Sequence, residues 1–225
     1  KYLTNARIID PKNQIDEIGG LIIDEKGLIK ATGKKVSNGN LPVSVDKMDL
    51  KKQILIPGIV DMRVFVGEPG YEYKENFRTL SNAALSGGVT SVVSMPNTSP
   101  VIDNVSMVDF LKRRGRDKSK INIFPAACLT KNTEGKQMTE FGLLKRKGII
   151  AFTDGIKTVQ DPQVMMRIMS FAAQSQSLII QHAEDNILSK DGLINEGEIS
   201  TRLGLKGIPF LAEKIIVERD LSFLE

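Results

Sequence analysis

Two side chains that can bind a metal ion follow neighbouring apolar runs of strand length. Asp154 comes directly after residues 149–153, and His182 ends residues 178–182. If these runs are parallel strands, their carboxyl ends meet at one edge, where a carboxylate and an imidazole can share a cation. Hydrolytic zinc usually takes three protein ligands and keeps one position for water, so this pair is an incomplete set. His182 is the only histidine, and a lone histidine is more often structural than ligating.

The elements that must position these side chains come after residue 52. From residue 53 to 225, apolar runs of strand length alternate with longer helical patterns, which is typical of parallel βα units. The predicted strands are residues 59–66, 90–95, 121–129, 149–153 and 178–182. The predicted helices are residues 74–86, 105–114, 138–147, 162–174 and 209–225. Residues 1–52 predict a small all-β unit with a hairpin turn at residues 25–26 and a polar loop at 36–42.

The number of βα units bears on the architecture. A closed (β/α)8 barrel needs eight units, and the pattern supplies five. Five units would leave an open sheet edge, which proteins normally avoid. We therefore expect these residues to be part of a longer protein, or the remaining units to be supplied separately or disordered. An open α/β sheet is the alternative.

Composition limits the classes of function. The 225 residues are 41% hydrophobic, which is enough for a core, and they contain no uninterrupted apolar run of membrane-spanning length. Cys128 is the only cysteine, which favours a reducing, cytoplasmic setting. The net charge of +4 comes from interspersed charges, and the basic run at residues 112–120 lacks aromatic residues that could stack on bases. We therefore expect neither a membrane nor a nucleic-acid partner.

Ten short stretches carry a resemblance to a known family. They are residues 57–62, 68–70, 73–75, 83–90, 95–103, 129–131, 138–140, 151–154, 181–185 and 195–205. Together they resemble the dihydroorotases of the amidohydrolase superfamily. The resemblance implies an α/β fold, a (β/α)8 TIM-type barrel of the metal-dependent hydrolase kind, with residues 1–52 as part of a small β-sandwich and residues 53–225 as the first five barrel units. It also implies zinc-dependent interconversion of carbamoyl-aspartate and dihydroorotate in pyrimidine biosynthesis.

Three residues match functional positions of that family. The resemblance implies that Asp154 and His182 are metal ligands after the fourth and fifth strands. It implies that Asn97 holds the carboxylate of the substrate. No catalytic residue is assigned, because the later histidine and the catalytic aspartate of the family would lie beyond residue 225.

Three positions at the end of the first strand depart from the family. Arg63 and Phe65 stand where the family has two histidines, which hold one cation because alternate residues of a strand point the same way. A guanidinium repels a metal cation, and a phenyl ring offers no lone pair. Gly67 stands where the family has an arginine that would grip a carboxylate with two hydrogen bonds. We expect zinc to be absent or weakly bound.

These departures make the chain similar to the non-catalytic dihydroorotase-like proteins. The resemblance implies that it acts as a structural partner of aspartate transcarbamoylase, and we expect it to form a homo-oligomer. The competing interpretation is an active hydrolase of dihydroorotate or a related cyclic amide with an altered or single-metal site.

Arg63 leads to a separate hypothesis. Without a metal, Asp154 would be a buried carboxylate lacking a counter-charge, which is costly. We expect the Arg63 guanidinium to pair with Asp154, and Phe65 to fill the remaining apolar space. The alternative is that Arg63 points outward and pairs with Glu68 or Glu72.

Overall fold

The computed structural model describes residues 1–36 and 46–224. Apart from Val36, the predicted polar loop therefore lies outside the described residues. The chain divides into two compact units, Lys1–Gly58 and Ile59–Glu225. Across the described ranges, no helix combines the length and the apolar character that crossing a membrane requires.

The first unit is organised around strand β1 (Tyr2–Asp10). It pairs antiparallel with β2 (Ile15–Ile23) and parallel with β4 (Lys47–Asp49) and β5 (Ile54–Leu55), while β2 pairs antiparallel with β3 (Ile29–Gly33). The predicted hairpin is confirmed: Asp24 Oδ1 closes its turn by accepting the backbone N–H groups of Lys26 and Leu28 at 2.9 and 2.8 Å. The described residues of this unit form one sheet, so the two-sheet sandwich stays a prediction.

The second unit begins with parallel strands in chain order. Strands β6 (Ile59–Val64), β7 (Val89–Ser94) and β8 (Asn122–Pro125) form one sheet, and β9 (Ala151–Phe152) pairs with β10 (Leu178–Ile179). A parallel bridge between Ala127 and Phe152 joins the segment after β8 to β9. The strands therefore follow the order β6-β7-β8-β9-β10, which confirms the five predicted strands and their parallel arrangement.

Helices separate these strands, close to their predicted positions. They are α1 (Phe77–Ser86), α2 (Val105–Lys118), α3 (Phe141–Arg146) and α4 (Pro162–Ser175). Helix α1 begins three residues later than predicted because Asn76 Oδ1 accepts the N–H groups of Arg78 and Thr79, both at 3.1 Å, and so caps the helix. Asp161 caps α4 in the same way, with Pro162 at the first helical position.

One apolar core lies between these strands and helices. Phe141 of α3 stacks on Phe152 of β9 with ring centroids 3.9 Å apart, and Leu129 and Ile168 are fully buried beside them. Cys128 is buried as well, as expected for a residue in an apolar strand. Because interiors pack at crystal-like density, this core fixes the backbone from which the strand-end residues project.

The interval after β10 contains three short elements that the sequence does not predict. They are β11 (Ile194–Asn195), α5 (Glu198–Leu203) and β12 (Gly207–Ile208), and helix α6 (Leu211–Ser222) follows them. Strands β11 and β12 pair parallel over two residues each. Two residues are too few to show the alternation of apolar and polar side chains by which a strand is predicted.

Candidate functional site

The end of the first strand carries Arg63 and Phe65, the two residues that the resemblance sets at metal-ligand positions. Arg63 is exposed, and its Cζ lies 5.6 Å from the centroid of the Phe65 ring, within cation–π range. Phe65 is 45% exposed. The expectation that Phe65 fills buried apolar space is therefore wrong: the ring stacks under a guanidinium at the surface of the strand end.

Asp154 is buried and its carboxylate is held by Thr130. Oδ1 accepts the Thr130 backbone N–H at 3.0 Å, and Oδ2 accepts the Thr130 hydroxyl at 2.5 Å. The hydroxyl in turn accepts the N–H of Gly135 at 2.9 Å. Burial raises the pKa of Asp154 above its ordinary value, although the hydrogen bonds from Thr130 oppose this. Both carboxylate oxygens thus form hydrogen bonds that hold the loop after the third strand in place.

The hypothesis that Arg63 pairs with Asp154 is wrong. No carboxylate in the described part of the chain forms an ion pair with Arg63. The alternative partners are engaged elsewhere: Glu68 pairs with Arg114, and Glu72 Oε1 accepts the N–H of Gly70 at 3.0 Å. The hydrogen bonds from Thr130 and the positive charge of Lys157 oppose the effect of burial on the Asp154 carboxylate.

His182 lines a cavity of about 600 Å³ together with Arg63, Gly155 and Glu184. We call this the strand-end cavity. The His182 Nε2 atom lies 3.4 Å from Glu184 Oε2, and the His182 carbonyl accepts the Thr158 hydroxyl at 2.5 Å. The structure therefore brings His182 together with Arg63, while the neighbouring strand presents Gly155 to the cavity and turns Asp154 towards Thr130.

Asn97 lies against the backbone of residues 154 and 155. Its Nδ2 donates to the Asp154 carbonyl at 3.1 Å, and its Oδ1 is buried without a hydrogen-bond partner among the described residues. A Cβ atom at Gly155 would lie 2.6 Å from Asn97 Nδ2 and closer to the rest of the amide, so only glycine fits beside it. The predicted binding of a substrate carboxylate by Asn97 stays a prediction.

Gly67 has no room for a side chain. A Cβ atom there would lie 2.8 Å from the Glu75 carbonyl oxygen and closer still to that of Tyr71. The turn is closed by a hydrogen bond from the Tyr71 N–H to the Gly67 carbonyl at 2.6 Å. The backbone turn at Gly67 thus excludes an arginine, or any other side chain, at this position.

The donor set does not fit a zinc centre with three protein ligands. Within residues 1–36 and 46–224, no group of three or more His, Cys, Asp or Glu side chains is placed to hold a metal ion. Asp154 accepts two hydrogen bonds from Thr130, and among the same described residues Glu184 is the one acidic side chain in ion-pair range of His182. Weak or absent zinc binding, and Asp154 and His182 as remnant ligands, stay predictions.

Sequence reasoning missed two residues that shape this site. Thr130 holds Asp154, and Arg114 of α2 neutralises the buried Glu68. Thr130 directly follows the predicted third strand, which is a signal that it stands at the strand-end edge. Arg114 belongs to the basic run at residues 112–120, and no local pattern distinguishes it from its neighbours.

Comparisons with known proteins place these features in a family. Residues 52–224 match the model of the family described as Dihydro-orotase-like. The dihydroorotase of Syntrophus aciditrophicus (strain SB) is 44% identical over 223 residues, covering 99% of this chain and 52% of that protein. The dihydroorotase of Ehrlichia canis (strain Jake) is 38% identical over 222 residues, covering 98% of this chain and 49% of that protein. The chain thus spans about half the length of these relatives.

Solved structures show the same fold. The L-hydantoinase (dihydropyrimidinase) from Arthrobacter aurescens matches with a TM-score of 0.77 and 17% identity, covering 99% of this chain and 49% of that one. A dihydroorotase crystal structure matches with a TM-score of 0.57 and 14% identity, covering 99% of this chain and 63% of that one. At such identities the likeness concerns the α/β fold alone, and it agrees with the parallel strand order of the second unit.

Proposed function

Because the chain belongs to the dihydroorotase-like family, we propose that it acts in pyrimidine biosynthesis as a member without a working metal centre. In this proposal it serves as a structural partner of aspartate transcarbamoylase in the cytoplasm and assembles as a homo-oligomer. The family membership rests on the matched model and on the relatives at 38–44% identity. The loss of the metal centre and the partnership are our inference.

The observation that carries the proposal is the chemistry at the end of the first strand. Arg63 and Phe65 are alternate residues of the strand end and lie within cation–π range of each other, and neither side chain offers a lone pair to a cation. A catalytic zinc ion normally has three protein ligands, and it activates water by lowering its pKa. Both oxygens of the Asp154 carboxylate already accept hydrogen bonds from Thr130. In this proposal the site does not activate water through a metal.

Retention of the scaffold supports a binding role. The strands, the helix caps and the buried core remain well formed although the ligand positions have changed. If the metal-ligand residues are replaced and the fold is kept, a role in binding another protein explains why the fold is kept. Partnership with aspartate transcarbamoylase is the form of that function which the resemblance suggests.

Three measurements on the protein as the cell makes it test this proposal. Zinc content is measured by mass spectrometry, turnover of dihydroorotate is assayed with added zinc, and binding to aspartate transcarbamoylase of the same organism is measured by sedimentation. We expect no stoichiometric zinc, no turnover above the rate of an Arg63→Ala control, and a stable complex. Stoichiometric zinc with turnover, or the failure of a complex to form, would overturn the proposal.

The second candidate is an active hydrolase of cyclic amides with a single-metal site. His182 favours it, because its imidazole reaches the strand-end cavity and keeps about one third of its surface exposed. In that case zinc uptake and turnover should both be lost in His182→Ala and kept in Glu196→Gln. The same assays therefore separate the two functions.

A further inference from the structure

Two segments that follow neighbouring strands are joined by side chains that take the place of backbone groups. They are residues 158–160, which follow β9, and residues 182–186, which follow β10. We propose that Thr158 and Gln160 are positioning residues, whose side chains continue the hydrogen-bond ladder between β9 and β10 and so fix the direction of His182 at the strand-end cavity. This inference goes beyond the proposed function, because it concerns the orientation of His182 and involves neither a metal ion nor a partner protein.

The backbone ladder between these two strands is short. Strands β9 and β10 pair over two residues each, and the Ile180 N–H adds a bond to the Phe152 carbonyl at 2.9 Å. The first chain then enters a turn, in which the Lys157 N–H donates to the Asp154 carbonyl at 3.2 Å. Beyond this turn, side chains of the first segment form hydrogen bonds with the backbone of the second.

Thr158 bonds to two backbone groups that lie two residues apart. Its hydroxyl donates to the His182 carbonyl at 2.5 Å and accepts the Glu184 N–H at 3.1 Å. In a parallel ladder, a residue likewise donates its N–H to one residue of the neighbouring strand and accepts at its carbonyl from the residue two further on. One hydroxyl therefore replaces both groups of a backbone unit. Thr158 is 6% exposed, so water competes little for these bonds.

Gln160 repeats this pattern two residues later. Its Nε2 donates to the Glu184 carbonyl at 2.8 Å, and its Oε1 accepts the Asn186 N–H at 3.4 Å, which is a longer and weaker bond. Alternate residues of an extended segment point the same way, which explains why positions 158 and 160 both reach the second segment. The two side chains thus bond to positions 182, 184 and 186 in steps of two, as a neighbouring strand would.

Helix α6 forms hydrogen bonds with both segments as well. Arg219 Nη1 donates to the Gln160 carbonyl at 2.9 Å, and the Asp185 N–H donates to the Ala212 carbonyl at 2.8 Å. The helix therefore supports the residue that carries the second pair of bonds and the segment that receives them.

The direction of the His182 imidazole depends on this arrangement. Thr158 holds the carbonyl of His182 and the N–H of Glu184, so the backbone on the C-terminal side of His182 has little freedom. The same backbone places His182 Nε2 at 3.4 Å from Glu184 Oε2. Loss of the Thr158 hydroxyl should therefore change the orientation of the imidazole, even where the strands themselves stay paired.

The imidazole signal of His182 in nuclear magnetic resonance spectra tests the inference. The protein as the cell makes it is labelled with isotopic histidine, and the His182 signal is identified by its absence in His182→Gln. We expect Thr158→Val to shift this signal and to raise the exchange rate of the Glu184 amide at least about fivefold, which corresponds to the net contribution of one hydrogen bond. The Ile180 amide, which bonds to the Phe152 carbonyl, should keep its rate. Thr158→Ser keeps the hydroxyl and should restore both values.

Thr139→Val is the matched control. Thr139 is 2% exposed, and its hydroxyl donates to the Cys128 carbonyl at 2.7 Å, away from the two segments. We expect this variant to lower the melting temperature and to leave the His182 signal and the Glu184 exchange rate unchanged. If it changes them as much as Thr158→Val does, the effect is a general loss of stability and the positioning role is wrong.

Gln160→Met is a second test, which decides the question if Thr158→Val does not fold. It removes both bonds of the amide while keeping a side chain of similar length, and we expect it to shift the His182 signal less than Thr158→Val does, because the bond to Asn186 is long. An unchanged His182 signal in Thr158→Val, or in Gln160→Met where that variant decides, overturns the inference. These outcomes do not depend on zinc or on aspartate transcarbamoylase, so they leave the proposed function to its own tests.

Discussion

The carboxylate of Asp154 receives its side-chain hydrogen bonds from one residue, Thr130. The backbone N–H and the hydroxyl of Thr130 reach the two carboxylate oxygens at 3.0 and 2.5 Å. A buried carboxylate without a counter-charge is normally costly, and hydrogen bonds that favour its charged form offset part of that cost. Asp154 thus stabilises the loop after the third strand through these hydrogen bonds. The sequence predicts a metal ligand at this position.

Removing the Thr130 hydroxyl should weaken the fold. In Thr130→Val, Asp154 Oδ2 loses its donor and the Gly135 N–H loses its acceptor, so a buried oxygen and a part-buried N–H are left unpaired. We expect the free energy of unfolding to fall by about 1–3 kcal/mol, measured by urea denaturation. Thr130→Ser keeps the hydroxyl and should cost less than Thr130→Val. Equal stability of Thr130→Val and the unmodified protein would show that the hydroxyl is not a structural donor.

The raised pKa of Asp154 predicts a pH dependence of stability. In the unfolded chain this carboxyl releases its proton at the ordinary value of about 3.9, whereas in the folded protein burial keeps it protonated to higher pH. Between the two pKa values the folded state binds more protons, so its stability falls as pH rises through this window. Asp154→Asn should remove this contribution.

The measurement is the free energy of unfolding of both proteins over a pH range that begins well below the ordinary carboxyl pKa of about 3.9 and extends upwards. The free energy of unfolding of the unmodified protein, minus that of Asp154→Asn, should fall as pH rises through this window and then become constant. Asp16→Asn is a control of opposite sign, because the hydrogen bond with Arg7 lowers the pKa of Asp16. A difference that grows in favour of the unmodified protein as pH rises would contradict the prediction.

Arg114 should matter more for stability than an exposed cation would. Arg114→Met leaves the carboxylate of Glu68 buried with only the Phe77 N–H as a partner. Breaking a buried ion pair costs about 3–5 kcal/mol, and we expect the lower end, because Arg114 is 39% exposed and solvent screens it. A double-mutant cycle gives the coupling free energy between the two residues. It compares the denaturation of Arg114→Met, of Glu68→Gln and of the double variant.

The neighbouring Arg116 is a suitable comparison for Arg114. It lies on the same helix and pairs with Asp117 at the surface. We expect Arg116→Met to change stability by less than about 0.5 kcal/mol, as for other surface positions. If Arg114→Met and Arg116→Met behaved alike, the Glu68 pair would not contribute to stability.

Any side chain at position 67 should destabilise the folded protein. In Gly67→Ala the added carbon collides with the backbone of Tyr71 and Glu75, and overpacking of this kind costs about 1–3 kcal/mol. Gly142→Ala is the matched control, because a Cβ atom there meets nothing within 4 Å and alanine favours the helix. The melting temperature should therefore fall for Gly67→Ala and stay constant or rise for Gly142→Ala.

This result limits how the ligand positions could be restored. Arg63→His with Phe65→His changes two exposed positions and should fold, whereas adding Gly67→Arg should destabilise the protein further than Gly67→Ala does. Zinc uptake by the two-histidine variant would be measured by mass spectrometry. A fully stable triple variant would show that the turn at Gly67 can open without cost.

Much of the fold follows from patterns within short segments. The alternation of strand-length apolar runs with helical patterns predicts the order β6 to β10, because each strand and helix leaves its own periodicity in the chain. Asn76 and Asp161, residue types that cap helices, stand immediately before α1 and α4. The two-residue strands β11 and β12 escaped prediction, since their pairing depends on contacts with distant residues and not on local periodicity.

The sequence by itself determined which side chains are available at the strand ends: Arg63 and Phe65 after the first strand, and one histidine in the whole chain. Only the tertiary structure decided where those side chains point. It turned Asp154 to Thr130 and left Arg63 over the Phe65 ring. The physical reason is that the direction of a side chain depends on the backbone and on neighbours brought from distant segments, as with Thr130 and Asp154, which are 24 positions apart.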